Sequence, residues 1–69
     1  MTTPPKTYVV RLIGVPGEAP REYLDAAPFS DSMMVASLGG EFFLHFMRDL
    51  KAEAFDPGVI VYRFYGVSD

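Results

Sequence analysis

The residues best suited to chemistry are one histidine and two carboxylates, spaced four positions apart: Glu41, His45 and Asp49. A carboxylate beside an imidazole can orient it as a general base, and the three side chains together offer two or three metal ligands. The same spacing also describes ordinary polar neighbours on the solvated face of a helix. We favour this last interpretation, because the histidine has no nucleophile, cleft or second ligand-bearing segment beside it in the pattern.

None of the four serines stands in a G-x-S-x-G turn, so the sequence offers no serine nucleophile in a known setting. We therefore predict a protein that is not an enzyme, with no catalytic residue, no metal and no cofactor. The Glu41, His45 and Asp49 side chains are kept as a secondary candidate surface.

The segment that would carry these three residues is Glu41–Phe55, EFFLHFMRDLKAEAF. At 100° per residue its large apolar side chains fall on one side and its polar side chains on the other. The pattern predicts a long amphipathic helix that ends at Asp56-Pro57-Gly58, where proline cannot continue it. The apolar side of this helix comprises Phe42, Phe43, Phe46, Met47, Leu50 and Ala54.

Three segments predict strands, because they alternate or are rich in β-branched and aromatic residues: Lys6–Val15, Met33–Ser37 and Gly58–Val67. The segment 18–32 is open between two alternatives. Pro20 could begin a short helix, or Arg21–Ala26 could return as a strand; we favour a short helix or irregular structure.

These elements predict one α+β domain spanning residues 1–69, with residues 1–5 disordered. Its sheet would have three strands, antiparallel or mixed, and the long amphipathic helix would pack on one face. We expect that helix to cover one alternating set of strand side chains: Tyr8, Val10, Leu12, Ile60, Tyr62 and Phe64.

The opposite face of this sheet would then stay uncovered, and we predict that it forms an interface made of Val9, Arg11, Ile13, Val59, Val61, Arg63 and Tyr65. A chain of 69 residues without cysteine has no disulfide to reinforce a small core. A second polypeptide that covers the exposed apolar sheet face would stabilise the small core instead. We therefore expect a homodimer or a protein partner. If Arg11 and Arg63 are neighbours, they would face an anionic group of that partner.

Charge and composition exclude other partners. The net charge is −3, the six basic residues are scattered, and asparagine and glutamine are absent, all of which argue against direct nucleic-acid binding. No apolar run reaches the length of a membrane span, and the N-terminus lacks the pattern of a secretory signal. We expect a cytoplasmic location.

The opening stretch YVVRLIGVPGE, followed by a tyrosine-containing segment and a closing strand, resembles small accessory proteins encoded by bacteriophages and mobile elements. The resemblance implies a short host-directed protein. Such proteins include anti-CRISPR proteins and other inhibitors of bacterial defence, which act by occupying a surface. It assigns no functional residue.

Taken together, the sequence predicts a small non-enzymatic protein-binding module, homodimeric, acting as a phage-type inhibitor by steric occupation of a partner. A structural or assembly subunit of a larger complex is the main alternative. A metal or ligand site built on His45 is the third.

Overall fold

Five strands and one short helical segment make up the computed structural model, which describes residues 3–69. The elements are β1 (Thr7–Ile13), β2 (Arg21–Ala26), β3 (Ser32–Ala36), β4 (Phe43–Arg48), α1 (Leu50–Glu53) and β5 (Val59–Ser68). The strands form one sheet in the order β2-β1-β5-β4-β3. Only β1 and β5 pair in parallel, and every other pair of neighbours is antiparallel.

The sheet curls so strongly that side chains of its two outermost strands meet. The hydroxyl of Tyr23, on β2, donates to the sulfur of Met33, on β3, at 3.8 Å. The result is a curled half-barrel with a concave face and a convex face.

The core lies on the concave face. Its buried residues are Val10, Leu12, Leu44, Phe46, Ile60 and Tyr62. They occupy alternate positions of the three central strands, as expected when one face of each strand is buried. Phe29, in the loop after β2, packs against this cluster, and its ring meets that of Tyr8 edge to face at 5.5 Å.

The prediction of a long helix packed on a three-stranded sheet was wrong. Residues 43–48 form β4, and the helical part that follows is only four residues long. Five aromatic or long apolar residues in 41–55, together with Ala54, fit a helical stripe, but Leu44, Phe46 and Arg48 also alternate with their neighbours. Aromatic side chains lose rotamer freedom in a helix and favour strands, and here β4 gains neighbours on both sides.

Asp49 marks the point where β4 gives way to α1. Its carboxylate accepts a hydrogen bond from the Ala52 backbone N–H at 3.1 Å, which is the contact of a helix N-cap. The chain then reverses at Gly58, whose φ of +91° suits glycine. The helix ends at Glu53, three residues before the stop predicted at Asp56-Pro57-Gly58, although the chain does turn at those residues.

The three predicted strands are present as β1, β3 and β5, within a few residues of their predicted bounds. In the segment 18–32, Arg21–Ala26 forms β2, the strand alternative, and not the favoured short helix. Residues 37–42 form the turn that connects β3 to β4, whereas the sequence predicted the start of a helix there. Of the segment expected to be disordered, residues 1 and 2 lie outside the described part, and residues 3–5 are exposed without regular structure. Within residues 3–69, no helix is long and apolar enough to cross a membrane.

Tyr62 fastens the loop after β2 to the central strand. Its buried side chain donates from the hydroxyl to the Ser30 carbonyl at 2.5 Å, and burial raises the pKa of the phenol. Tyr62→Phe removes the donor and leaves that carbonyl unpaired, so we expect a loss of about 1–2 kcal/mol in unfolding free energy. Chemical denaturation followed by circular dichroism measures it. Tyr65→Phe, at an exposed tyrosine of the same strand, is the matched control and should change the unfolding free energy by less than about 0.5 kcal/mol; equal losses in the two variants would contradict the assignment.

Candidate protein-interaction surface

The seven residues predicted as an interface all lie on the convex face, along β1 and β5. The parallel register places Val9 beside Val59, Arg11 beside Val61 and Ile13 beside Arg63. Most of this surface is nevertheless covered within one chain. Val61 is only 3% exposed and the other aliphatic side chains of the set are half-buried, so Arg63 and Tyr65 are its only exposed members.

Arg11 and Arg63 already have carboxylate partners within the chain. Arg11 pairs through Nε with Glu22, and its Nη1 lies 3.3 Å from Asp56 Oδ2. Arg63 Nε donates to Asp49 Oδ2 at 2.9 Å. The backbone N–H of Ala52 and then this Arg63 contact lower the pKa of Asp49. The sequence-based expectation that both arginines face an anionic partner is therefore replaced by three ion pairs made within the chain.

The second candidate group, Glu41, His45 and Asp49, is not a cluster. Glu41 lies in the turn before β4, His45 lies within β4, and Asp49 caps α1. Residues four apart on a strand are separated by about 13 Å, whereas the same residues on a helix would be neighbours. Within the described range 3–69, no three histidine or carboxylate side chains converge as a metal site requires.

One contact between side chains that could take part in catalysis was not predicted from the sequence. His45 Nε2 lies 2.6 Å from Ser68 Oγ, and the His45 ring lies 6.0 Å from that of Tyr65. An imidazole beside a hydroxyl is the first half of a nucleophile–base arrangement. In residues 3–69, however, no carboxylate bonds the other ring nitrogen, and the pair does not line the groove described below. We interpret it as a contact that joins β4 to the end of β5.

Five of the eleven large apolar side chains that are exposed in residues 3–69 form a group around the β3–β4 side of the convex face, and the other six lie on β2, in the turns and near the end of β5. The five side chains of this group, each with roughly half its surface in contact with water, surround the half-buried His45. In the sheet register His45 pairs with Met34, and the Tyr65 ring lies beside it. Phe43 and Met47 alternate with His45 along β4. Met47, Leu50 and Tyr65 line one groove. We call this surface the convex patch. It consists of Met34, Phe43, Met47, Leu50 and Tyr65.

Part of the convex patch lines an open groove of about 380 Å³ between α1 and the β4–β5 pair. Lys51 and Arg63 stand among its lining residues, so positive charge accompanies an apolar floor. A groove of this size accepts one bulky apolar side chain of a partner. The groove is lined by Met47, Arg48, Asp49, Leu50, Lys51, Arg63, Phe64 and Tyr65.

The sequence predicted only part of the convex patch. Tyr65 was in the predicted interface, but Phe43, Met47 and Leu50 were assigned to the buried stripe of a helix. Comparison of the chain with known protein families, curated proteins and solved structures finds no match. The surface is therefore interpreted from its own residues.

Proposed function

We propose that this protein is a non-enzymatic binding module that recognises another protein through the convex patch. The observation that carries the proposal is a group of five exposed apolar side chains around one side of the sheet, three of which line one groove. With about half of each exposed, they present on the order of 500 Å². Exposed patches of this size on small soluble proteins are often functional.

The total surface supports the same conclusion. The chain exposes 5066 Å², whereas a folded monomer of its 7.7 kDa mass is expected to expose about 4,300 Å². The exposed residues 3–6 contribute to this surface, and so does the convex patch, which a second polypeptide would cover.

The chemistry of the patch suggests what it binds. Met34 and Met47 are flexible and polarisable, so they adapt to different apolar side chains. Lys51 at the groove makes no ion pair within residues 3–69, unlike Arg63, and favours a partner segment in which a large apolar residue is flanked by a carboxylate. The resemblance to phage and mobile-element proteins favours an inhibitor that works by steric occupation of such a partner.

A photo-crosslinking experiment tests the proposal. A benzoylphenylalanine replacing Met47, in the middle of the patch, should crosslink one defined protein in host cells, and excess unlabelled protein should suppress the product. The same probe replacing Leu24 is the matched control, because Leu24 is also exposed but lies on β2, outside the patch. Identical products from both positions, or a Met47 product that contains only a second copy of this chain, would contradict the proposal.

A further inference from the structure

The two edges of the sheet differ in how they are protected. The β2 edge contains Arg21, Glu22 and Asp25, whereas β3 has the sequence Ser-Met-Met-Val-Ala and carries no charge. An edge strand presents unpaired backbone groups, and soluble proteins usually protect such strands with charged residues, prolines or bulges. The β3 edge shows none of these.

The hydrogen-bond pattern identifies the backbone groups that β3 leaves free. Arg48 N–H donates to the Asp31 carbonyl at 2.8 Å, and Ser37 N–H donates to the Phe42 carbonyl at 2.8 Å. In an antiparallel pair, residues alternate between bonding the neighbouring strand and pointing away from it. Counting from Asp31 and Ser37, the residues that point outward are Ser32, Met34 and Ala36. Within residues 3–69, no further strand pairs with this edge.

The outward backbone groups of the β2 edge, identified by the same alternation of bonded and outward residues, are better protected. Val9 N–H donates to the Gly58 carbonyl, so Val9 faces β5 and its neighbours along β1 face β2. The outward residues of β2 are then Glu22, Leu24 and Ala26. The Ala26 N–H is already taken by the Asp25 carboxylate at 2.8 Å, and the outward residue Glu22, at the other end of the strand, carries a charge.

We propose that β3 is a self-pairing edge, at which a second copy of this chain adds its own β3 in antiparallel orientation. A two-fold axis at Met34 places Met34 opposite its counterpart and Ser32 opposite Ala36 of the second copy. Each of these outward pairs exchanges two backbone hydrogen bonds, so the register forms about six. The charged residue next to the strand, Asp31, then lies near Ser37 of the second copy, and no like charges face each other.

Several observations favour a second copy as the occupant. The register is self-complementary, with small residues opposite each other at both ends and Met34 at the centre. The surface exceeds that of a typical monomer, as described above, and a cysteine-free chain has no disulfide to stabilise it. The contact between Tyr23 and Met33 is made by side chains and leaves the outward backbone groups of β3 unbonded.

This pairing does not rest on the proposed function, because it is carried by backbone groups and not by the convex patch. It does affect that patch. A two-fold axis perpendicular to the sheet keeps each face on its own side, so the two convex patches would lie next to each other across the Met34 pair. The dimer would present one extended apolar surface that is repeated by symmetry.

Proline at an outward position tests the pairing. Met34→Pro removes an N–H that the chain does not use internally, so the intrachain ladder stays intact. In sedimentation velocity, the unmodified protein should behave as a dimer of twice 7.7 kDa, and Met34→Pro as a monomer. Leu24→Pro places the same residue at an outward position of β2 and should remain dimeric. A monomeric unmodified protein, or a dimeric Met34→Pro variant, would overturn the proposal.

Amide hydrogen exchange on the unmodified protein gives a second test that needs no variant to fold. The Ser32, Met34 and Ala36 amides should exchange at least about tenfold more slowly than the Leu24 amide, because pairing buries them. Equal exchange rates would rule the pairing out. The Leu50→Glu variant, with the crosslinking probe still at position 47, separates the two proposals: it should lose the crosslinked partner protein while remaining a dimer.

Discussion

Replacing Phe46 with alanine is expected to leave most of the protein unfolded at room temperature. Phe46 is 0% exposed and lies at the centre of the core, with its ring 6.0 Å from that of Phe64. Truncating a buried phenylalanine costs about 3–5 kcal/mol. A single core in a chain this short supplies a net stability of roughly the same size, so one substitution consumes nearly all of it.

The matched control is Phe55→Ala, the same change at a side chain that is 89% exposed. We expect it to alter the unfolding free energy by less than about 0.5 kcal/mol. Urea denaturation of both variants at equal protein concentration, followed by circular dichroism, makes the comparison. A Phe46→Ala midpoint close to that of the unmodified protein would show that the core is not where we place it.

Glu53→Ala is expected to have the second largest effect, a loss of about 2–3 kcal/mol. The Glu53 carboxylate is only 12% exposed and binds the Arg48 guanidinium through both oxygens, at 2.8 and 2.9 Å. It also accepts from the Val61 backbone N–H at 3.2 Å. The Val61 N–H points toward the side of β5 on which β4 pairs, but β4 ends at Arg48 and offers no backbone carbonyl there. The Glu53 carboxylate accepts the hydrogen bond in place of that carbonyl. Removing it leaves a donor and a guanidinium unpaired.

The same carboxylate makes stability depend on pH. The Arg48 hydrogen bond first, and the Val61 N–H in addition, lower the pKa of Glu53 below its ordinary value of 4.5. A group with a lowered folded-state pKa stabilises the fold above its unfolded pKa, and this contribution is lost as the pH falls through the folded value. The stability of the unmodified protein should therefore decrease as the pH falls below 4.5.

Glu53→Gln isolates this contribution, because glutamine keeps the shape without the charge. The unfolding free energy of the unmodified protein should exceed that of Glu53→Gln at neutral pH, and the difference should shrink as the pH is lowered. Asp49, whose pKa is also lowered, is present in both proteins and cancels in the comparison. A difference that stays constant from about pH 7 to about pH 3 would contradict the role of Glu53.

The strands were predictable where one face of the pattern is apolar in strict alternation. Ile60, Tyr62 and Phe64 were expected to share a buried face with Tyr8, Val10 and Leu12, and they do. The error came at residues 43–48, where the apolar side chains satisfy both a period of 3.6 and a period of 2. Periodicity alone cannot decide such a segment, because what decides it is the presence of strands on either side.

The surface was harder to predict than the core. Moving β4 from a helix to a strand exposes Phe43 and Met47 on the convex face, which no reasoning from a helical stripe would suggest. The contact between His45 and Ser68 joins residues 23 positions apart through the β4–β5 register. Ion pairs such as Arg11 with Asp56 likewise depend on the final topology. Each of these features follows from tertiary structure and leaves no local signal.

Because β5 lies at the centre of the sheet, its position in the chain determines when the fold can be completed. The chain forms two hairpins, β1–β2 and β3–β4, whose backbones are connected in the sheet through β5, which follows both in the chain. Before β5 is available, neither hairpin can bury its apolar side in the complete sheet, and two-stranded ribbons are marginal by themselves. We therefore expect folding to be completed in a late step, in which both hairpins pair with β5.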